Sequence, residues 1–155
     1  VKPADLATLR AALAGDRAAA VRHAELAAAQ REDLDDPLRQ TVAAASLHHY
    51  YSALESLAER VVRAFEQTLP TGRRWHTELL ELAALDVPGV RPALWSAETT
   101  RLLRKLLAFR HFFRHAYATA WDPRELAANL EVLDAARPLV ERDLDRFVEV
   151  LAAAQ

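Results

Sequence analysis

The stretch from Ala108 to Ala120, AFRHFFRHAYATA, concentrates the side chains best suited to chemistry. Arg110, His111, Arg114, His115 and Tyr117 fall within eight residues. On a helix, Arg110, Arg114 and Tyr117 follow i, i+4, i+7 and share one face, and His111 and His115 share the adjacent one. Phe109, Phe113 and Ala116 are expected on the core side. Arginine forks grip phosphate oxygens. A histidine that titrates near neutrality takes and gives a proton. Tyrosine adds a hydroxyl, or a ring on which a base stacks. Such a block suits metal-free cleavage of an RNA phosphodiester, in which a base deprotonates the ribose 2′-hydroxyl and cations stabilise the charge on phosphorus. The same residues also fit a solvated helix face or pairing between helices. Two His at i, i+4 can bind zinc. Here no Cys and no H-E-x-x-H pattern supports a metal, and Arg110 and Arg114 would repel a dication, so neither metal nor cofactor is expected. Two further groups stand out. His48-His49-Tyr50-Tyr51 is read as facing a partner or the edge of the core. In Arg73-Arg74-Trp75-His76, Trp75 is read as a core anchor and His76 as a hydrogen-bonded histidine of the bundle.

The elements that must position this block read as helices. Apolar residues recur at three and four almost throughout, and no run alternates like a half-buried strand. Proline supplies the punctuation: Asp36-Pro37, Leu69-Pro70, Pro88-Gly89 with Arg91-Pro92, and Asp122-Pro123 divide the chain into five parts. Asp-Pro is a capping residue followed by the preferred first helical residue. A segment over about 3–34 is Ala-rich. Gly15-Asp16 is expected to split it, and its small residues make it the least securely docked part. Helices follow over about 37–69, 72–85, 96–120 with a Ser96 cap, and from Asp122-Pro123-Arg124-Glu125, which resembles a capping box. Pro138 is expected to kink or break the last of these. Long helices with short joins give an all-α, up-and-down helical bundle.

Composition narrows the class. At 155 residues the chain has the length of one domain and can bury a real core. It is 52% hydrophobic and 27% charged, so it is neither disordered nor fibrous. No apolar run reaches the roughly 20 residues of a membrane span. The absence of Cys removes disulfides, thiolate metal sites and cysteine nucleophiles. The opening VKPADLATLR has no apolar signal core, so a cytoplasmic location is expected. The net charge of −2 hides 18 Arg against 2 Lys, which leaves room for a local phosphate-binding face.

Arg110-His111-x3-His115-x-Tyr117 fits R-x4-H-x-Y, the signature of HEPN ribonucleases in the form seen in HepT-type toxins. The setting strengthens the likeness: SLHHYYSALESLAERV, LPTGRRWHTELLELAA and VPGVRPALWSAETTRLLRKLLAFRHFFRHAYA resemble the HepT-like group in order and spacing. The resemblance covers roughly 38–150. It implies an all-α HEPN bundle of about five helices over 37–155, preceded by an N-terminal helical extension over 1–36. It also implies a homodimer whose motif helices meet in a cleft. Five residues of helix turn Arg110 and His115 apart by about 140°; a two-fold pairing would converge both sets on one phosphate. The family's motif makes Arg110 the phosphate-contacting residue and His115 the acid–base group. His111 takes the polar position after the arginine and joins Arg114 as a candidate substrate contact. Arg114 is an extra cation that the pattern does not contain. Tyr117 matches the tyrosine that, in relatives, is adenylylated by a minimal nucleotidyltransferase acting as antitoxin. AMP there would fill the cleft and repel RNA. The resemblance thus implies a type II-like toxin that is a metal-independent endoribonuclease. The rival is a non-catalytic HEPN-type subunit that binds a nucleotide or docks a nucleotidyltransferase. On the first reading, Arg110→Ala is expected to lose cleavage and keep the fold, as a charged cleft residue would.

Overall fold

The computed structural model describes residues 3–66, 68–116 and 120–153. Five α-helices run through them: α1 (Pro3–Ala29), α2 (Pro37–Glu66), α3 (Trp75–Ala83), α4 (Ala97–His115) and α5 (Pro123–Ala153), with one 3₁₀ turn (Gln30–Glu32) between α1 and α2. The fold is all-α.

The starts of three helices are set by side chains that the sequence marks. Asp36 Oδ1 accepts the Leu38 N–H at 2.8 Å ahead of Pro37. Ser96 Oγ accepts the Thr99 N–H at 3.2 Å. Asp122 Oδ1 accepts the Arg124 N–H at 2.8 Å ahead of Pro123. Each satisfies a donor that the first helical turn leaves unpaired.

Contacts between helices fix their directions. Arg60 on α2 pairs with Asp16 of α1 at 2.6 Å, and His49 meets His23, so α1 and α2 are antiparallel. Arg17 pairs with Glu141 and Arg31 with Asp134, so α5 also runs against α1. Arg110 meets Glu55 and Phe113 meets His48, so α4 runs against α2. The long helices therefore alternate up and down. Their shared core includes Leu47, Leu54, Leu57, Leu106, Leu130 and Phe147.

Three expectations are corrected. Gly15-Asp16 does not split α1, because the Asp16 carboxylate is committed to Arg60 across the interface rather than to a cap. Nor is α1 loosely docked: it makes the most extensive helix–helix contact of the described residues, against α2. Ala20, Ala24 and Ala27 are buried together with Leu6, Leu9 and Leu13. Each alanine releases little area from water, but their small size lets the two helices approach closely. Pro138 lies within a continuous α5. It and Asp134, whose carbonyl the missing N–H would have bonded, are both exposed, so the lost bond falls on the solvent side of the helix while Leu133, Ala136 and Val140 stay buried.

The joint before α4 is anchored by two polar side chains. Arg91 is buried; its guanidinium donates to Glu66 Oε1 at 2.6 and 2.8 Å, to the Leu82 carbonyl at 2.8 Å and to the Leu85 carbonyl at 2.9 Å. Gly89, at φ +77°, makes the tight turn that presents it. Asp143 on α5 accepts the Ser96 N–H at 2.7 Å and the Thr99 hydroxyl at 2.6 Å. Burial pushes its carboxyl up, but these hydrogen bonds outweigh it and hold the group below its usual range. Trp95, wholly buried just before Ser96, donates its backbone N–H to the Ala83 carbonyl at 3.4 Å.

Candidate functional site

The buried face of α4 is wide. Leu102–Leu103, Leu106–Leu107 and Phe109–Arg110 are each buried as neighbouring pairs. Arg110 therefore falls on the edge of the core, not on an open face with Arg114, which corrects the expected arrangement. Its side chain is 10% exposed. Nη2 stands 3.4 Å from Glu55 Oε1, Nη1 3.3 Å from His76 Nε2, and Nε 3.4 Å from Ser52 Oγ. His76 Nδ1 lies 2.6 Å from Glu55 Oε2. That short bond assigns the Nδ1 proton to the donor role, and Arg110 Nη1, 3.3 Å from Nε2 and 3.5 Å from Nδ1, lies against the imidazole ring rather than on one nitrogen. Trp75 tilts over the His76 ring at 3.7 Å and is half-buried against the core. The result is a buried carboxylate shared by an arginine and a histidine, built from α2, the start of α3 and α4.

Glu55 is the residue that sequence reasoning missed. The signal was available: it follows Tyr51 by four positions and sits between Leu54 and Leu57, so the buried stripe of α2 carries a carboxylate. A buried charge needs a partner, and Arg110 is that partner.

The other residues of the block are exposed. His111, Phe112, Arg114 and His115 form the outer side of the last turns, and His115 is the last residue of α4. The His111 ring lies 5.6 Å from His76, edge to face. Burial, then His76 and Arg110, push its pKa down, which favours the unprotonated ring at neutral pH. Within one chain, then, Arg110 turns into the bundle and His115 outward. Phe109 is buried and Phe113 packs against the core at half exposure. Tyr117 lies outside the described residues.

His48, on α2, stacks on Phe113 at 4.6 Å. Its Nδ1 is buried, with no hydrogen-bond partner among the described residues. Burial, then the Arg110 charge, His49 and Arg114, pull its pKa down to about 4. His49 is exposed and contacts both His48 and His23. Among the described residues, no group of three His, Asp or Glu side chains is placed to hold a metal, and no helix is long and apolar enough to cross a membrane.

An antiparallel helical bundle with a cationic, histidine-rich helix end seated on a buried Glu–His–Arg cluster is the class of protein that the fold and site define. The family model for HepT-like proteins matches residues 42–151, from the first turns of α2 to the end of α5. The chain belongs to the HepT-like family, and is therefore a HEPN-type, toxin-like protein. No curated protein and no solved structure matches the chain.

Proposed function

We propose that the protein is the toxin of a HEPN/minimal-nucleotidyltransferase toxin–antitoxin pair and acts in the cytoplasm as a metal-independent endoribonuclease. The observation that carries this reading is the placement of Arg110 and His115 on one helix end in a chain of the HepT-like family. Arg110 is oriented by Glu55 and His76, and His115 is exposed at the last turn.

In the proposed reaction a base removes the ribose 2′-hydroxyl proton. The 2′-oxygen attacks phosphorus, the P–O5′ bond breaks, and the leaving oxygen takes a proton. The products are a 2′,3′-cyclic phosphate and a 5′-hydroxyl. His115 is the acid–base group, Arg110 steadies the phosphate, and His111 and Arg114 contact the strand. Because Arg110 and His115 diverge within one chain, the site is assigned to a two-fold homodimer that brings two sets together. Residues 37–155 are the nuclease unit and 1–36 its helical extension, which shares the same core. The antitoxin is a minimal nucleotidyltransferase that adenylylates Tyr117, and the added AMP blocks RNA by bulk and charge.

A second reading has its own footing. The Arg110 side chain is turned into the bundle towards Glu55 and His76 and is only 10% exposed, as it would be in a non-catalytic subunit that binds a nucleotide or docks a nucleotidyltransferase. Expression in cells separates the two. The wild-type chain should arrest growth and fragment RNA, His115→Ala should do neither, and co-expression with the nucleotidyltransferase should add whole AMP units to the mass of His115→Ala at Tyr117. Nucleotide binding with RNA intact would instead establish the second reading.

A further inference from the structure

Beside the polar block, three rings from separate elements stand in a column. His48 of α2 stacks on Phe113 of α4 at 4.6 Å and 21° between planes. Phe113 stacks in turn on Trp121, just before α5, at 5.6 Å and 15°. Phe109 packs beside Trp121 at 5.9 Å from within the core. Phe112 then meets Trp121 edge-on at 5.9 Å and 76°, with 47% of its surface exposed. Phe113 and Phe109 already pack Trp121 against the bundle, so the fold does not require Phe112 on the outside. An exposed aromatic beside a half-buried tryptophan marks a contact surface.

Charge decides what that surface contacts. Phe112 lies between His111 and Arg114, with His115 one position further; the nearest acidic residue in sequence, Asp122 beside Trp121, accepts the Arg124 N–H at the start of α5. In the proposed homodimer two such cationic helix ends approach each other, and a polyanion lying between them would offset their repulsion. A polyanion with aromatic faces meets both halves of the surface: phosphates pair with the cations, and a base covers the rings. The depressed His48 pKa fits this, since it leaves the inner ring of the column uncharged at neutral pH.

We infer that Phe112 and Trp121 form a stacking shelf for one unpaired nucleobase of an RNA strand whose phosphate lies at Arg114 and His115. The shelf rests on the ribonuclease reading above and adds to it a requirement: the nucleotide beside the scissile phosphate must be free of a duplex. Base stacking of this kind tolerates any base, because each has a π face.

The test uses His115→Ala, which leaves the shelf intact and should not cut its ligand. The probes are a single-stranded oligoadenylate carrying 2-aminopurine and an abasic ribose-phosphate oligomer of the same length. The expected result is quenching of the 2-aminopurine and tighter binding of the oligoadenylate than of the abasic strand. Adding Phe112→Ala should then weaken oligoadenylate binding roughly ten-fold. It should leave abasic binding, salt dependence and helical circular dichroism unchanged. Equal binding of both strands, insensitive to Phe112→Ala, would overturn the shelf and leave the RNA reading standing. A change of dimer to monomer on Phe112→Ala with RNA affinity unchanged would also overturn it, and would assign the surface to a second copy. No binding of either strand at low salt would overturn both.

Discussion

Two buried arginines, Arg91 and Arg110, are each paired with a glutamate, yet they are held differently. Arg91 has no exposed side-chain surface; it takes Glu66 with two nitrogens at 2.6 and 2.8 Å and also fills the Leu82 and Leu85 carbonyls. Arg110 has three kinds of partner, Glu55, His76 and Ser52, at 3.3 to 3.5 Å. Short, multiple and shape-matched bonds make Arg91 a fixed tie between α2, α3 and the loop before α4. Long bonds to a carboxylate already shared with His76 leave Arg110 oriented but able to exchange partners. The first belongs to the architecture; the second has the character of a functional group.

The largest effect expected from this contrast is on stability at Arg91. Arg91→Leu strands the part-buried Glu66 carboxylate and removes the donors to the Leu82 and Leu85 carbonyls, and should cost about 3 kcal/mol in urea unfolding. Arg91→Lys should recover little, because one ammonium cannot span the same acceptors. The expectation that Arg110→Ala leaves the fold untouched is corrected by the burial of Glu55, which is 8% exposed. Arg110→Ala should destabilise by about 2 kcal/mol, less than Arg91→Leu because Glu55 keeps the His76 bond. Combining it with Glu55→Gln should restore part of that loss. A larger loss at Arg110 than at Arg91 would reverse the contrast.

Acid should weaken the functional end before the anchored one. The pKa values of His48, His23 and His111 are pushed down, in each case first by burial. Above the unfolded value near 6.5 these rings contribute no pH dependence. As pH falls from about 6.5 towards about 4, where His48 titrates in the folded state, the unfolded chain binds more protons and stability is lost. After allowance for solvent screening of a half-exposed ring, His48 should account for about 1 kcal/mol. His48→Phe keeps the stack on Phe113 and should flatten that part of the acid transition, followed by melting temperature against pH. The smallest effect lies far from both arginines. A Cβ at Gly15 meets nothing within 4 Å, so Gly15→Ala should add about 0.5–1 kcal/mol.

The difference between the two arginines also explains what sequence reading reaches. Asp36, Ser96 and Asp122 act through neighbours two or three residues away, so their capping is local information. The up-and-down bundle follows from spacing and from short joins. The failures at Gly15 and Pro138 share a cause: partners on another helix, or solvent on the outer face, outweigh the local preference of the residue. The site divides in the same way. His111, Arg114 and His115 are exposed at one helix end, and their clustering is visible in eight residues. The burial of Arg110 depends on Glu55 and His76, 55 and 34 positions earlier in the chain, and on α4 burying adjacent residue pairs, which a three–four spacing does not express. Asp143 was missed for the same reason, since its partners become neighbours only when α4 and α5 pack.

The most direct test of the central claim is the initial rate at which the purified chain cleaves a labelled single-stranded RNA in excess chelator, compared with His115→Ala and Arg110→Lys at matched folding. Cleavage by the wild-type chain, a loss of at least about 100-fold in His115→Ala with an unchanged melting temperature, and an intermediate rate in Arg110→Lys are the expected results. Cleavage that persists in His115→Ala, or that appears only when a divalent metal is restored, would contradict the account.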